Sequence, residues 1–178
     1  MSFVSPLTTA SHRRAWLSFS SAILLTACGF RLRGSVTLAF QTLRMTGSTN
    51  TPTAKALRSN LMAQGVRVDT PSDPVLAANE MPQVVLHVLQ DQRQRVVVGQ
   101  TAAGQVRELE LRGLFEFNLT NAVGREIVAN TKLALTRSLN FSETAVLAKD
   151  AEEAQLFNDM QNDMVSQVMR RLSAVRSF

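Results

Sequence analysis

Glu108-Leu109-Glu110-Leu111-Arg112-Gly113-Leu114-Phe115-Glu116-Phe117-Asn118-Leu119 alternates between apolar and polar side chains. Leu109, Leu111, Phe115, Phe117 and Leu119 point one way, and Glu108, Glu110, Arg112, Glu116 and Asn118 the other. A period of two is that of a β-strand with one buried face. Asn121-Ala122-Val123-Gly124 then turns the chain. Ile127, Ala129, Leu133, Leu135, Leu139 and Phe141 continue on the odd positions of a second strand, with Lys132 on its opposite face. Two such runs joined by a short turn are antiparallel neighbours. Their polar faces are predicted to pair Glu116 or Glu110 with Lys132 or Arg125.

Working outward, Val84, Leu86 and Val88 open another strand. It turns polar from Gln90 to Arg95, is apolar again at Val96-Val97-Val98, and ends in a loop from Gly99 to Gly104. Phe40 to Thr46 reads as a first strand, with Leu43 and Met45 on one face, and Val66-Arg67-Val68 as a short one. Two stretches have helical spacing instead. Thr51 is placed to cap a helix, Pro52 suits its first position, and Ala54, Leu57, Leu61 and Met62 recur along it until Gly65. From about Ala148 to Val175, the residues Phe157, Met160, Met164, Val168, Leu172 and Val175 step by three or four. Asp150, Glu152 and Glu153 lie near the start of this helix and Arg170, Arg171 and Arg176 near its end, as the helix dipole favours. Two amphipathic helices and a sheet with one apolar face satisfy each other by stacking. The fold class is therefore α+β, two-layered, with two amphipathic helices packed on one face of a mixed, mostly antiparallel β-sheet. Phe117 and Leu135 are predicted to be buried between the layers, with Phe157 meeting them from the last helix.

The N-terminus has a different character. Arg13 and Arg14 precede an apolar run, broken only by serines, that leads to Leu25-Thr26-Ala27-Cys28. A charged start, an apolar middle and small residues at a cut define a secretory signal. Leu-Thr-Ala-Cys resembles the bacterial lipobox, and Cys28 is the sole cysteine. The apolar run is too short for a permanent bilayer span. The expected organisation is a signal peptide at 1–27, a lipidated tether at 28–34 and a single domain at 35–178. Roughly 150 residues remain, enough for one core. Removing the signal takes Arg13 and Arg14 with it and lowers the charge from +5 to a mild +3, with no run of like charges long enough for nucleic acid.

A catalytic or metal-binding set is not legible. Past the signal there is one histidine, His87, inside an apolar strand, and the chain has no tyrosine. No metalloprotease, hydrolase-elbow or phosphate-loop pattern occurs. Asp159 and Asp163 lie one turn apart on the last helix and read as a solvated face. No cofactor or metal is expected. By elimination the function is binding or assembly, although a catalytic serine would leave no trace in composition. The candidate ligand contacts are basic: Arg93 and Arg95 before the Gly99–Gly104 loop, Arg107 after it, Lys132, and Arg137 on an otherwise apolar strand face. Arginine forks match phosphate and carboxylate. For Arg137, an intramolecular partner such as Glu143 or Asp150 stands as an equal alternative.

Together these pieces resemble one family, the LPS-assembly lipoproteins (LptE, or rare lipoprotein B). The resemblance rests on Cys28-Gly29-Phe30 with Leu32-Arg33-Gly34, on Gly99-Gln100-Thr101-Ala102 with Glu108-Leu109, and on Leu147-Ala148-Lys149-Asp150 with Glu152, Met160 and Arg171-Leu172. It implies an outer-membrane lipoprotein facing the periplasm, with Cys28 carrying the N-palmitoyl and S-diacylglycerol groups. It implies a role as plug and assembly partner of the LptD β-barrel, in a heterodimer that delivers lipopolysaccharide to the outer membrane. Lipopolysaccharide would then be the ligand of the basic candidates. A purely structural envelope lipoprotein and a periplasmic serine hydrolase are the rival readings.

Overall fold

The computed structural model describes residues 37–77, 80–142 and 145–177. Cys28, the signal and the tether lie outside these residues, as does Glu143. The chain runs β1 (Thr42–Gly47), α1 (Pro52–Ala63), β2 (Arg67–Asp69), β3 (Val84–Gln100), β4 (Val106–Asn121), β5 (Glu126–Asn140) and α2 (Val146–Ala174). The strands form one sheet in the order β2-β1-β3-β4-β5. β1 is parallel to both β2 and β3, whereas β3, β4 and β5 are antiparallel. This is the predicted two-layer α+β arrangement, with α1 supplying the crossover that a parallel β1–β2 pair needs.

The core lies between the helices and one face of the sheet. Leu43 and Met45 of β1, Val84, Leu86 and Val88 of β3, and Phe115, Phe117 and Leu119 of β4 pack against Ala54, Leu57 and Leu61 of α1 and Met164, Val168 and Leu172 of α2. Every odd apolar position that defined β4 is buried. A second, smaller cluster of Leu109, Leu111, Leu139 and Met160 fills the space near the β3–β4 hairpin. Phe157 packs in that cluster, not against Phe117, and Leu135 is half-buried between the two clusters. The reason is the length of α2. It runs along the sheet, so residues 156–160 cover the hairpin end while residues 164–172 cover the centre. Gly113 allows the close approach, because a Cβ there would come within 2.6 Å of Met164 Cε and 3.2 Å of Met160 Cε.

Two bulges change the faces that simple alternation predicts. In β5 the pairing passes from Phe117↔Thr131 to Leu119↔Val128, so two residues of β5 oppose one of β4. Ile127 and Val128 both lean on the core, and Ala129, predicted to face inward, is exposed. In β3 the pairing passes from Val88↔Phe117 to Gln90↔Glu116. Leu89 is extruded, and Asp91 comes to lie opposite Phe115 on the helix side.

That shift gives Asp91 a structural role. Its Oδ2 accepts hydrogen bonds from the Thr53 amide at 3.0 Å and the Ala54 amide at 3.4 Å, and its Oδ1 accepts from Thr53 Oγ1 at 2.9 Å. The N-terminus of α1 is thus capped by a carboxylate from another element, where negative charge is favoured. Thr51, the predicted cap, makes no such bond and donates instead to the Ser48 carbonyl at 2.9 Å.

Asp69 is a second polar anchor and is buried. It accepts from Arg44 Nε at 2.6 Å, from the Val75 amide at 2.9 Å and from the Leu76 amide at 3.4 Å, tying β1, β2 and the following loop together. Burial pushes its carboxyl up. The Arg44 hydrogen bond, the two amides and the Arg44 charge outweigh this and hold it below the ordinary carboxylate value. A depressed folded-state value means that its stabilisation is complete above about pH 4 and is lost as pH falls through the folded value. Asp69→Asn is expected to cost about 1–3 kcal/mol at neutral pH. It should also flatten the decline in stability below pH 4, measured by urea unfolding across pH.

Candidate functional site

The five basic candidates do not converge. Three project from the helix-facing side of the sheet and hold α2. The Arg93 guanidinium donates to Gln161 Oε1 and lies 5.4 Å from the centre of the Phe157 ring. Arg95 Nη1 lies 3.4 Å from Glu153 Oε2. Arg137 Nη2 donates to Asp163 Oδ2 at 3.2 Å, and its Nη1 donates to the Thr136 carbonyl at 3.1 Å. All three arginines are exposed, so the two ion pairs, Arg95–Glu153 and Arg137–Asp163, contribute little, about 0–1 kcal/mol each. Together they tether the half of α2 that rests on the smaller apolar cluster. Arg137 has an intramolecular partner, but that partner is Asp163, because α2 returns alongside the outer strand.

Lys132 and Arg107 differ from these. Lys132 stands on the helix-free face of the sheet, opposite Glu116 in register. The predicted Glu116–Lys132 pair does not form: Glu116 Oε1 accepts from Asn130 Nδ2 at 2.7 Å, and Glu110 takes Arg112 Nε of its own strand at 2.5 Å. Among the described residues neither Lys132, Arg107 nor Arg125 has an ion-pair partner. The Arg107 carbonyl accepts from the Phe141 amide at 2.8 Å, which brings the start of α2 to the same end of the sheet as the hairpin. That end exposes Val97, Val98, Val146 and Leu147, with Leu147 86% accessible. Arg107 and these apolar side chains therefore share one end of the sheet, whereas Lys132 lies further along β5, opposite Glu116.

His87 occupies the helix-free face, with Nδ1 2.9 Å from Thr46 Oγ1 and Nε2 3.2 Å from Thr120 Oγ1. It is a satisfied sheet-face histidine. Asp159 accepts from Gln155 and Asp163 from Arg137, and among the described residues no group of three potential ligands could hold a metal ion. Sequence reasoning missed Asp91 and Asp69, since each acquires its role from partners distant in the chain. The one hint at Asp91 was a helix N-terminus with no acid in its first turn.

An open mixed sheet with two helices on one face, its cations dispersed along the ends and edges, defines a two-layer α+β domain. The chain belongs to the LptE family of lipopolysaccharide-assembly proteins, whose family model matches residues 37–172. The family is one of assembly proteins and not of enzymes, which removes the hydrolase reading. Among solved structures, the chain is similar to lipoprotein B from Nitrosomonas europaea, with 29% identity and a TM-score of 0.66 over 82% of this chain and 91% of that one. It also shares its fold with a minor lipoprotein from Acinetobacter baumannii, with 23% identity and a TM-score of 0.58 over 79% and 96% of the two chains. Rare lipoprotein B from Shewanella oneidensis matches with 22% identity and a TM-score of 0.58, over 75% of this chain and 94% of its own. None of the curated proteins compared with it matches.

Proposed function

We propose that this member of the lipopolysaccharide-assembly family is an outer-membrane lipoprotein, anchored through acylated Cys28, whose domain 35–178 faces the periplasm. In this reading it is the plug and assembly partner of an LptD-type β-barrel and contacts lipopolysaccharide as it passes to the outer leaflet. The observation that carries the proposal is the family match over residues 37–172 directly after a lipobox-like Leu25-Thr26-Ala27-Cys28. Gly29, in place of an aspartate after the cysteine, fits sorting to the outer membrane. Two or more acyl chains would hold the domain firmly, at about 0.8 kcal/mol for each buried methylene. The test is co-purification from detergent-solubilised membrane, where a stoichiometric large barrel is expected and a lone monomer would overturn the proposal. Cys28→Ala should abolish metabolic fatty-acid labelling, and retained label would remove the anchor from this reading.

Lipopolysaccharide presents phosphates and carboxylates above an apolar acyl region. The hairpin end, which carries Arg107 and exposes Val97 and Val98, offers the matching pair of chemistries. Arg107 and Lys132 are the candidates whose charge no described partner engages, whereas Arg93, Arg95 and Arg137 are occupied by α2. In the isolated chain, Arg107→Gln and Lys132→Gln are each expected to weaken lipopolysaccharide binding roughly fivefold at low salt, corresponding to ~1 kcal/mol for a partly exposed charge pair. Arg137→Gln should lower stability by less than about 1 kcal/mol and leave binding per folded molecule unchanged. Salt-sensitive binding that survives loss of both Arg107 and Lys132 would place the anion site elsewhere.

A further inference from the structure

The two edges of the sheet are treated differently. At one edge β2 is three residues long, and the chain after it folds back through the Thr70↔Asp73 bridge and the Arg67–Glu80 ion pair. Short strands and covering loops are the usual protection against unwanted strand pairing. At the other edge β5 is fifteen residues long. From Lys132 to Asn140 it pairs one-for-one with Glu116 to Glu108 of β4, without a bulge. Among the described residues, no backbone group of another segment bonds to its outer side, where the Thr136 carbonyl accepts only from the exposed Arg137 side chain of the same strand. The run contains no proline and no acidic residue, and its charged side chains are Lys132 and Arg137. The bulge at residues 128–131 guards only the far end.

We propose that the outer edge of β5, from Lys132 to Asn140, receives an added β-strand: an extended segment bearing acidic side chains, contributed by the barrel partner. This rests on the barrel reading above. The unpaired amides and carbonyls of an edge strand supply the main-chain hydrogen bonds of such an addition, and the side chains select the partner. A second copy of this edge would offer Lys132 no carboxylate, because the run from Lys132 to Asn140 contains no acidic residue. Charge favours a segment whose carboxylates meet Lys132, which has no partner among the described residues.

The experiment compares amide hydrogen exchange in the full-length chain alone and in the detergent-solubilised complex with its barrel. Exchange over residues 132–140 is expected to slow roughly tenfold or more in the complex, with the β2 edge unchanged. Photo-crosslinkers placed singly at Thr136 and Ser138 should link to the barrel chain. A barrel that co-purifies while β5 exchanges as in the free chain would overturn the edge proposal and leave the barrel reading standing. If no barrel co-purifies, both fail. Protection already present in the isolated chain would assign the edge to the chain's own N-terminal segment, and a crosslinked product of twice the chain's mass would assign it to a second copy. Either result overturns the proposal. Lys132→Glu should reduce recovery of the barrel at low salt, and undiminished recovery would show that the added segment is not acidic.

Discussion

Phe117→Ala is expected to destabilise the domain by about 3–5 kcal/mol, the cost of removing a fully buried aromatic side chain from a packed core. Phe117 is inaccessible to solvent and lies at the centre of the main cluster, its ring 5.8 Å from that of Phe115 and inclined by 37°. Both helices contribute to that cluster, so the cavity would weaken the layer contact itself. A domain of this size should lose roughly 10 °C in melting midpoint. Leu135→Ala is the matched control. The same alternation marks it, but it is half-buried at the boundary of the two clusters and should cost clearly less. Equal losses, or an unchanged midpoint for Phe117→Ala, would show that the faces of the sheet have been misassigned.

The second large effect is expected at Gly47, the last residue of β1. Its φ is +81°, a region that side chains other than hydrogen disfavour. A Cβ there would also stand 2.2 Å from the Val88 carbonyl oxygen, which accepts the Ser48 amide at 3.0 Å. The obstructing atom is backbone within the β1–β3 ladder, so relief requires separating the two strands. Gly47→Ala should therefore cost about 2–5 kcal/mol, adding a left-handed backbone penalty to the cost of overpacking. Gly65→Ala separates the two contributions. Gly65 has a φ of +84° but nothing within 4 Å of its Cβ position, so only the backbone penalty of about 1–2 kcal/mol applies. Comparable losses at the two sites, measured by chemical unfolding, would remove the steric argument.

The legible part of this protein was the part with a period. The alternation from Leu109 to Leu119, the hairpin that follows and the three-four spacing of Met160, Met164, Val168 and Leu172 each carry a repeated signal from side chains close in the chain. Ala129 was misread because one extra residue in β5 moves the inward position opposite Leu119 from 129 to 128. Arg137 was correctly placed on the helix-facing side, yet its partner Asp163 lies 26 residues further along. No local pattern selects Asp163 over Glu143 or Asp150. The basic candidates were found by residue type, and type does not distinguish a cation that holds a helix from one that stands free.

The sequence by itself determined the elements, their buried faces, the two-layer class and a resemblance that the family match bears out. These properties follow from hydrophobic burial, and an apolar side chain reports its burial through its neighbours at two, three or four residues. Tertiary structure alone decided that Asp91 caps α1, that Asp69 joins two strands to a loop, that three arginines clasp α2, and that β5 is a long edge strand among the described residues. Those roles depend on directional polar contacts between residues far apart in the chain. Their direction is set by bulges and by the path of α2, which leave no periodic trace.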